Sequence, residues 1–144
     1  MLIGEYKHTL DDKKRISLPS KFRTQVGKKI VITRGLDGCL FLYPIKEWQK
    51  ISEKLGALGM GAADTRGFNR FMLSGASEVN VDAVGRILIP EHLRDFAQIK
   101  SKVVFAGVFN RIEIWNEKSW TEYTSQVVKN ADKMAEKLGD IGAL

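Results

Sequence analysis

The sequence predicts a mainly β fold with short helices, an α+β chain in which one unit is used twice. Three observations carry this expectation. First, the stretch Asp11–Arg23 recurs as Asp82–Arg94, with Asp, Arg, Ile, Pro and Arg identical and with Leu18/Ile89 and Phe22/Leu93 keeping apolar character. Second, the likeness runs on at both ends. Gly4 aligns with Gly75 and Leu10 with Val81 at a shift of 71; after one extra residue, Gly35 aligns with Gly107, Leu40 with Ile112, Leu42 with Ile114 and Trp48 with Trp120 at 72. Third, each copy reads as turn, short apolar strand, proline, short helix and hairpin. A supersecondary unit of this size cannot cover its own apolar face and needs a sister. The expected division is unit 1 at residues 4–48, a helical linker at 49–74, unit 2 at 75–120 and a C-terminal helix at 117–138.

Taken in order, residues 3–10 read as a strand leading into the first turn, and Arg15–Leu18 as the next short strand. Pro19, with its φ preset, suits a first helical position. Phe22 and Val26 share a face of the helix that follows, and Gly27 suits its end. Lys29–Arg34 and Cys39–Tyr43 form a hairpin around Gly35–Gly38, and its near-continuous apolarity predicts burial on both faces. Pro44 opens a helix whose Trp48, Ile51 and Leu55 make one apolar stripe. A glycine-rich link, Gly56–Ala63, precedes a short helix for which Asp64 is a candidate N-cap, packing through Phe68, Phe71 and Met72.

The order then repeats: a strand at Ser74–Val81, a turn at Asp82–Gly85, a strand at Arg86–Ile89 and a helix from Pro90 bearing Leu93 and Ala97. A second hairpin, Lys102–Gly107 with Arg111–Trp115, turns through Val108-Phe109-Asn110. Asn116 is placed to cap the last helix. That helix keeps an apolar stripe of Trp120, Tyr123, Val127, Ala131, Met134 and Leu138, over a length of roughly 30 Å at ~1.5 Å per residue. Its far end is expected to reach past its own unit onto a neighbour.

With 144 residues, 44% apolar and 28% charged, the chain has a globular composition rather than a disordered one. No apolar run approaches the ~20 residues of a membrane span, and Met1–Tyr6 reads as a strand rather than a signal peptide. A cytoplasmic protein with no membrane partner is expected. Cys39 is the only cysteine, so no internal disulfide can form, and its apolar neighbours assign it to packing. The net charge of +6 is uneven: residues 1–72 carry 14 basic and 7 acidic side chains, residues 73–144 carry 9 and 10. A basic half points to a polyanion, most often nucleic acid.

The repeated turn carries the chemistry. An arginine held stiffly can bond two acceptors on guanine or clamp a phosphate. Asp11 and Asp82, each four residues before Arg15 and Arg86, are placed to organise the turn and orient the guanidinium. Lys13 and Lys14 lie between the first pair and are placed to touch phosphates. The second pair encloses Ala83-Val84-Gly85, so the first copy is expected to make more phosphate contact. If the residue before the arginine needs positive φ, Gly85 adopts it freely and Lys14 carries strain.

These residues resemble the MraZ family of bacterial transcriptional regulators over essentially the whole chain, and each unit resembles a SpoVT/AbrB-type DNA-binding domain. The resemblance rests on Asp11–Arg15 and Asp82–Arg86, on Arg-Ile-Ser-Leu-Pro at 15–19 and Gly-Arg-Ile-Leu-Ile-Pro at 85–90, on Gly107-Val108-Phe109-Asn110, and on Glu113-Ile114-Trp115. It implies tandem swapped-hairpin units closing a pseudo-two-fold β-barrel, and assembly into a homo-oligomeric ring. It also implies binding of double-stranded DNA at promoter direct repeats in the division and cell-wall gene cluster, including the chain's own operon. Location in the cytoplasm at the nucleoid would accompany that role, with repressor and activator both open. By this resemblance Arg15 and Arg86 face the DNA.

Two other classes compete. An enzyme is not expected: His8 and His92 are the only histidines, no zinc spacing or phosphate-cradling glycine motif is present, and no cofactor, metal or catalytic residue is assigned. An antitoxin-like DNA-binding interaction module is the stronger alternative. Such proteins join one DNA-binding unit to a disordered tail, whereas here the unit is doubled and the tail reads as an ordered helix.

Overall fold

Strand pairing in this chain is reciprocal between its two halves. The computed structural model describes residues 1–144. The first half contains β1 (Leu2–Thr9), β2 (Arg15–Ser17), α1 (Ser20–Val26), β3 (Lys29–Arg34), β4 (Leu40–Pro44) and α2 (Ile45–Gly56). After α3 (Ala63–Asn69) and a π-helical turn (Arg70–Ser74), the second half contains β5 (Ser77–Asn80), β6 (Arg86–Leu88), α4 (Glu91–Ala97), β7 (Lys102–Phe109), β8 (Ile112–Asn116) and α5 (Glu117–Asp140). The large sheet has the antiparallel order β1-β7-β8-β4-β3-β5, and β2 pairs with β6 in a separate ribbon. Exchanging the halves returns the same order: β1 lies on β7 as β5 lies on β3, and β4 meets β8.

The protein is therefore mixed α+β with a large antiparallel sheet and a long C-terminal helix, but the expected closed barrel does not form. β1 and β5 stand at opposite edges of the sheet and do not pair. The β2–β6 ribbon, α1 and α4 contribute Ile16, Leu18, Phe22, Val26, Ile87, Ile89, Leu93 and Ala97 to the main core.

Both faces of the first hairpin are buried, as its composition predicts, and so are those of the second. Ile30, Ile32, Leu40, Leu42, Val103, Phe105, Ile112 and Ile114 face the main core. The alternate residues Cys39, Phe41, Tyr43, Val104 and Trp115 face a second cluster, against Trp48 and Leu55 of α2, Met72 of the π-helical turn and Trp120 of α5. Tyr43 meets Trp48 at 5.8 Å and Trp115 meets Trp120 at 5.4 Å, the same contact in each half. Burial holds the Cys39 thiol above its ordinary range and closes it to reaction.

Several local expectations change. The prolines at 19, 44 and 90 stand one residue before their helices, with extended ψ of 133, 151 and 145°. Each ends an extended segment and hands a preset φ to the cap position. Asp64 lies in the first turn of α3 while Ala62 occupies the cap without a side-chain bond; the carboxylate still favours the helix N-terminus through its charge. The strand expected from Ser74 begins only at Ser77. Thr33 Oγ1 donates to the Met72 carbonyl and Arg34 Nη1 to that of Phe71, which holds residues 70–74 in the wide helical turn.

The second hairpin turns through Val108-Phe109-Asn110 as expected: its pairing ends at Gly107 and Ile112, Val108 N–H donates to the Arg111 carbonyl, and Phe109 takes φ 68° while still pairing with Leu2 of β1. Register also corrects the sequence alignment. Arg34 faces Leu40 in the first hairpin and Gly107 faces Ile112 in the second, so Gly107 corresponds to Arg34 rather than to Gly35. The aligned glycines have separate causes. A side chain at Gly35 would meet the Phe41 ring, and one at Gly107 would meet the backbone of Leu2 and Ile3 in β1.

Asn116 caps α5 as expected, its side chain accepting from the Lys118 and Ser119 amides. From Ala131 onward every residue of α5 is exposed, including Met134 and Leu138. Its apolar stripe thus runs beyond the fold without a partner in the chain.

Candidate nucleic-acid interface

Each repeated turn is built by its aspartate. Lys14 N–H donates to the Asp11 carbonyl at 2.9 Å and Asp11 N–H to the Arg15 carbonyl at 2.8 Å. The side chain completes the loop: Asp11 Oδ1 accepts the amides of Lys13 and Arg15, both at 2.9 Å, and Oδ2 accepts Arg15 Nε at 2.8 Å. The second turn repeats every bond. Asp82 Oδ1 accepts Val84 N–H at 3.0 Å and Arg86 N–H at 2.8 Å, and Oδ2 accepts Arg86 Nε at 2.8 Å. Five-residue closure of this kind ends in a left-handed residue that forms a bulge. Lys14 at φ 62° and Gly85 at φ 84° fill that place.

The electrostatics follow from those bonds. The Arg15 amide, then its guanidinium and the Lys13 amide, hold the Asp11 carboxyl below its ordinary value of 3.8, and Asp82 is lowered in the same way by Arg86 and Val84. Both carboxylates are fully ionised at neutral pH. Only Nε of each arginine is used. The η nitrogens make no bond within the chain, so each guanidinium keeps its outer edge for a ligand while its stem is immobilised.

Register sets the two turns at opposite ends of one ribbon with their arginines on the same face. In the ribbon Arg15 faces Leu88, Ile16 faces Ile87 and Ser17 faces Arg86. Alternation therefore places Arg15, Ser17, Arg86 and Leu88 on one outer face and the two isoleucines on the inner one. With ~3.3 Å per residue along a strand and ~5 Å between strands, the two arginine Cα atoms lie roughly 8 Å apart. A two-stranded ribbon is marginal alone. Burying Ile16 and Ile87, each 1% exposed, contributes about 1.5–3 kcal/mol apiece and fastens it to the core.

The surroundings of the two turns differ. Lys13 and Lys14 stand exposed at one end of the ribbon, whereas Val84 and Gly85 occupy the matching place at the other. The groove beside the first turn is lined by Lys14, Arg94 and Lys100 but also by Glu91 and Asp95. The groove beside the second, about 350 Å³, is lined by Arg23 and Lys28 from the first half, with Asp82 its only acid. Arg23 packs so closely on Gly85 that a Cβ there would overlap its guanidinium. Neither Arg23 nor Lys28 figures among the residues singled out from the sequence, although Arg23 is one of the five identities of the repeat.

The two histidines have structural surroundings. His8 meets the Phe105 ring edge-on at 5.6 Å, and His92 Nε2 lies 3.1 Å from the Gly75 carbonyl oxygen. No helix is long and apolar enough to cross a membrane.

Comparison with known proteins finds the same two-fold repeat. The sequence matches the MraZ protein family, whose description calls it antitoxin-like, at residues 1–71 and again at 72–140. It is 49% identical over 138 residues, 96% of either chain, to a protein of Caldanaerobacter subterraneus subsp. tengcongensis named transcriptional regulator MraZ. Proteins of the same name from Caldicellulosiruptor saccharolyticus and Clostridium beijerinckii are each 47% identical over 142 residues, 99% of both chains.

Proposed function

The chain belongs to the MraZ family, and from that premise we propose that it is a sequence-specific DNA-binding transcriptional regulator and not an enzyme. The observation that carries this reading is the pair of Asp–Arg turns, bonded alike and set on one face of one ribbon. A two-stranded ribbon fits the major groove, about 12 Å wide, where arginine reads guanine O6 and N7. Two arginine positions roughly 8 Å apart correspond to two or three base steps of ~3.4 Å. Arg15 and Arg86 are the base-reading residues, Lys13 and Lys14 contact phosphate, and Asp11, Asp82 and Gly85 shape the turns.

In this reading the chain divides into units at 4–48 and 75–120, a linker at 49–74 and the helix at 117–138. It acts in the cytoplasm at the nucleoid, on direct repeats in the promoter of its own operon in the division and cell-wall gene cluster. It does so as a homo-oligomeric ring, and binding several repeats at once raises avidity without any new contact. The test is footprinting on DNA upstream of its own gene, with native mass measured on the same sample. Protection of spaced repeats is expected; a folded protein that leaves this DNA unprotected at low salt overturns the reading.

A second reading, an antitoxin-like DNA-binding module, is favoured by the uncovered apolar stripe on α5. Affinity capture from native cells separates the two: a stoichiometric toxin-like partner supports the second.

A further inference from the structure

We infer that the second turn meets DNA phosphate through Lys28, a residue of the first half, and that Arg23 is the positioning residue that docks this turn beside it. The inference rests on the DNA-binding reading above. At a shift of 71, Lys13 and Lys14 correspond to Val84 and Gly85, so the second turn carries no cation of its own except Arg86. The fold supplies one from outside. The Lys28 carbonyl accepts the Val81 amide at 2.8 Å, which holds its Cα against the segment entering the turn. Its side chain is exposed and makes no ion pair, whereas neighbouring Lys29 is paired with Glu78 at 3.4 Å.

Arg23 completes the arrangement. Its Nε donates to the Leu18 carbonyl at 2.9 Å, and the Leu18 amide donates to the Gly85 carbonyl at 2.9 Å. Its guanidinium fills the space that a Cβ on Gly85 would need. The turn and Lys28 thus line the same groove.

Charge separates this groove from its counterpart. Where the second groove is lined by Thr24 of α1, the first is lined by Glu91 and Asp95 of α4. Those carboxylates offset two of the first groove's three cations, Lys14, Arg94 and Lys100, so phosphate contact there falls mainly to the turn's own lysines. In the second groove the one acid, Asp82, is already bonded to Arg86, so Arg23 and Lys28 are unopposed. The two turns acquire comparable phosphate contact by different routes, both supplied by the first half. The concentration of basic residues in that half has its physical use here.

Phosphate-ethylation interference on the full chain bound to its upstream DNA tests this, with the salt dependence of affinity measured alongside. Lys28→Gln is expected to abolish interference at one phosphate per bound repeat. It should also reduce the log–log salt slope by about 0.9 for each protomer engaged, leaving base protection in place. Lys28→Arg should restore both, and Lys129→Gln, on exposed α5, should change neither. If wild type binds specifically and Lys28→Gln keeps the full interference pattern and slope, the inference falls while the DNA-binding reading stands. If wild type gives no specific complex, both fall.

Discussion

Lys14 and Gly85 hold the same left-handed backbone position in the two turns, at φ 62 and 84°, yet only Gly85 has a guanidinium, that of Arg23, packed where a side chain would begin. The two positions answer substitution in opposite ways. A left-handed L-residue carries backbone strain that glycine escapes, partly offset by glycine's greater freedom when unfolded. Lys14→Gly is expected to stabilise the fold by about 0.5–1 kcal/mol and to weaken DNA binding by the loss of one cation. Gly85→Ala is expected to destabilise by about 1–2 kcal/mol or more, strain and overlap acting together. Urea unfolding of both variants checks this, and equal responses would contradict the contact with Arg23.

Removing either guanidinium separates binding from folding. The outer nitrogens of Arg15 and Arg86 are bonded to nothing in the chain, and the inward anchors of the ribbon are Ile16 and Ile87. Arg15→Ala or Arg86→Ala is expected to raise Kd for promoter DNA roughly tenfold to a hundredfold, the ~1–3 kcal/mol of one base-reading arginine. Arg15→Lys should recover the phosphate attraction but not the base discrimination. Titration against matched and scrambled repeats distinguishes these outcomes; unchanged discrimination in Arg15→Lys would remove Arg15 from base reading.

The turns also have a defined acid response. Asp11 and Asp82 have folded-state pKa values below the ordinary 3.8, so the folded chain binds fewer protons there than the unfolded chain. Their contribution is complete above about 3.8 and declines as pH falls through the lowered values. Asp11→Asn and Asp82→Asn keep an oxygen for the backbone amides but lose the charge. Each should lower the thermal midpoint at neutral pH by an amount that does not vary with pH until the solution is acidic, then shrinks toward zero. Midpoints measured down through the carboxylate range provide the check, and a deficit that grew on acidification would contradict the bonding described.

The end of α5 should be dispensable for folding and needed for assembly. Every residue beyond Asn130 is exposed, Met134 and Leu138 included, each at 43%. Deleting residues 131–144 is expected to leave the unfolding midpoint of the remaining fold nearly unchanged while altering the native mass. An unaltered mass would exclude this helix from self-association.

Much of the site was legible in the sequence because its bonds are local. An aspartate four residues before an arginine, across a turn that ends in a left-handed residue, dictates the bond set almost by itself. The capping role of Asn116 and the two-faced burial of Lys29–Arg34 follow from equally short-range patterns. The strand expected at Ser74 failed for the complementary reason. Its backbone is held in a helical turn by Thr33 and Arg34, about forty positions earlier in the chain and invisible to any local window.

What the sequence determined by itself was the repeat, the order of elements in each half and the internal construction of each turn, since these depend on contacts a few residues long. The tertiary structure alone decided that the sheet stays open, that Gly107 answers to Arg34, that Arg15 and Arg86 share one face, and that Lys28 stands beside a turn more than fifty residues away. All of these depend on strand register and on which half packs against which. A repeated sequence leaves that choice open, because either copy offers the same apolar pattern to itself as to its sister.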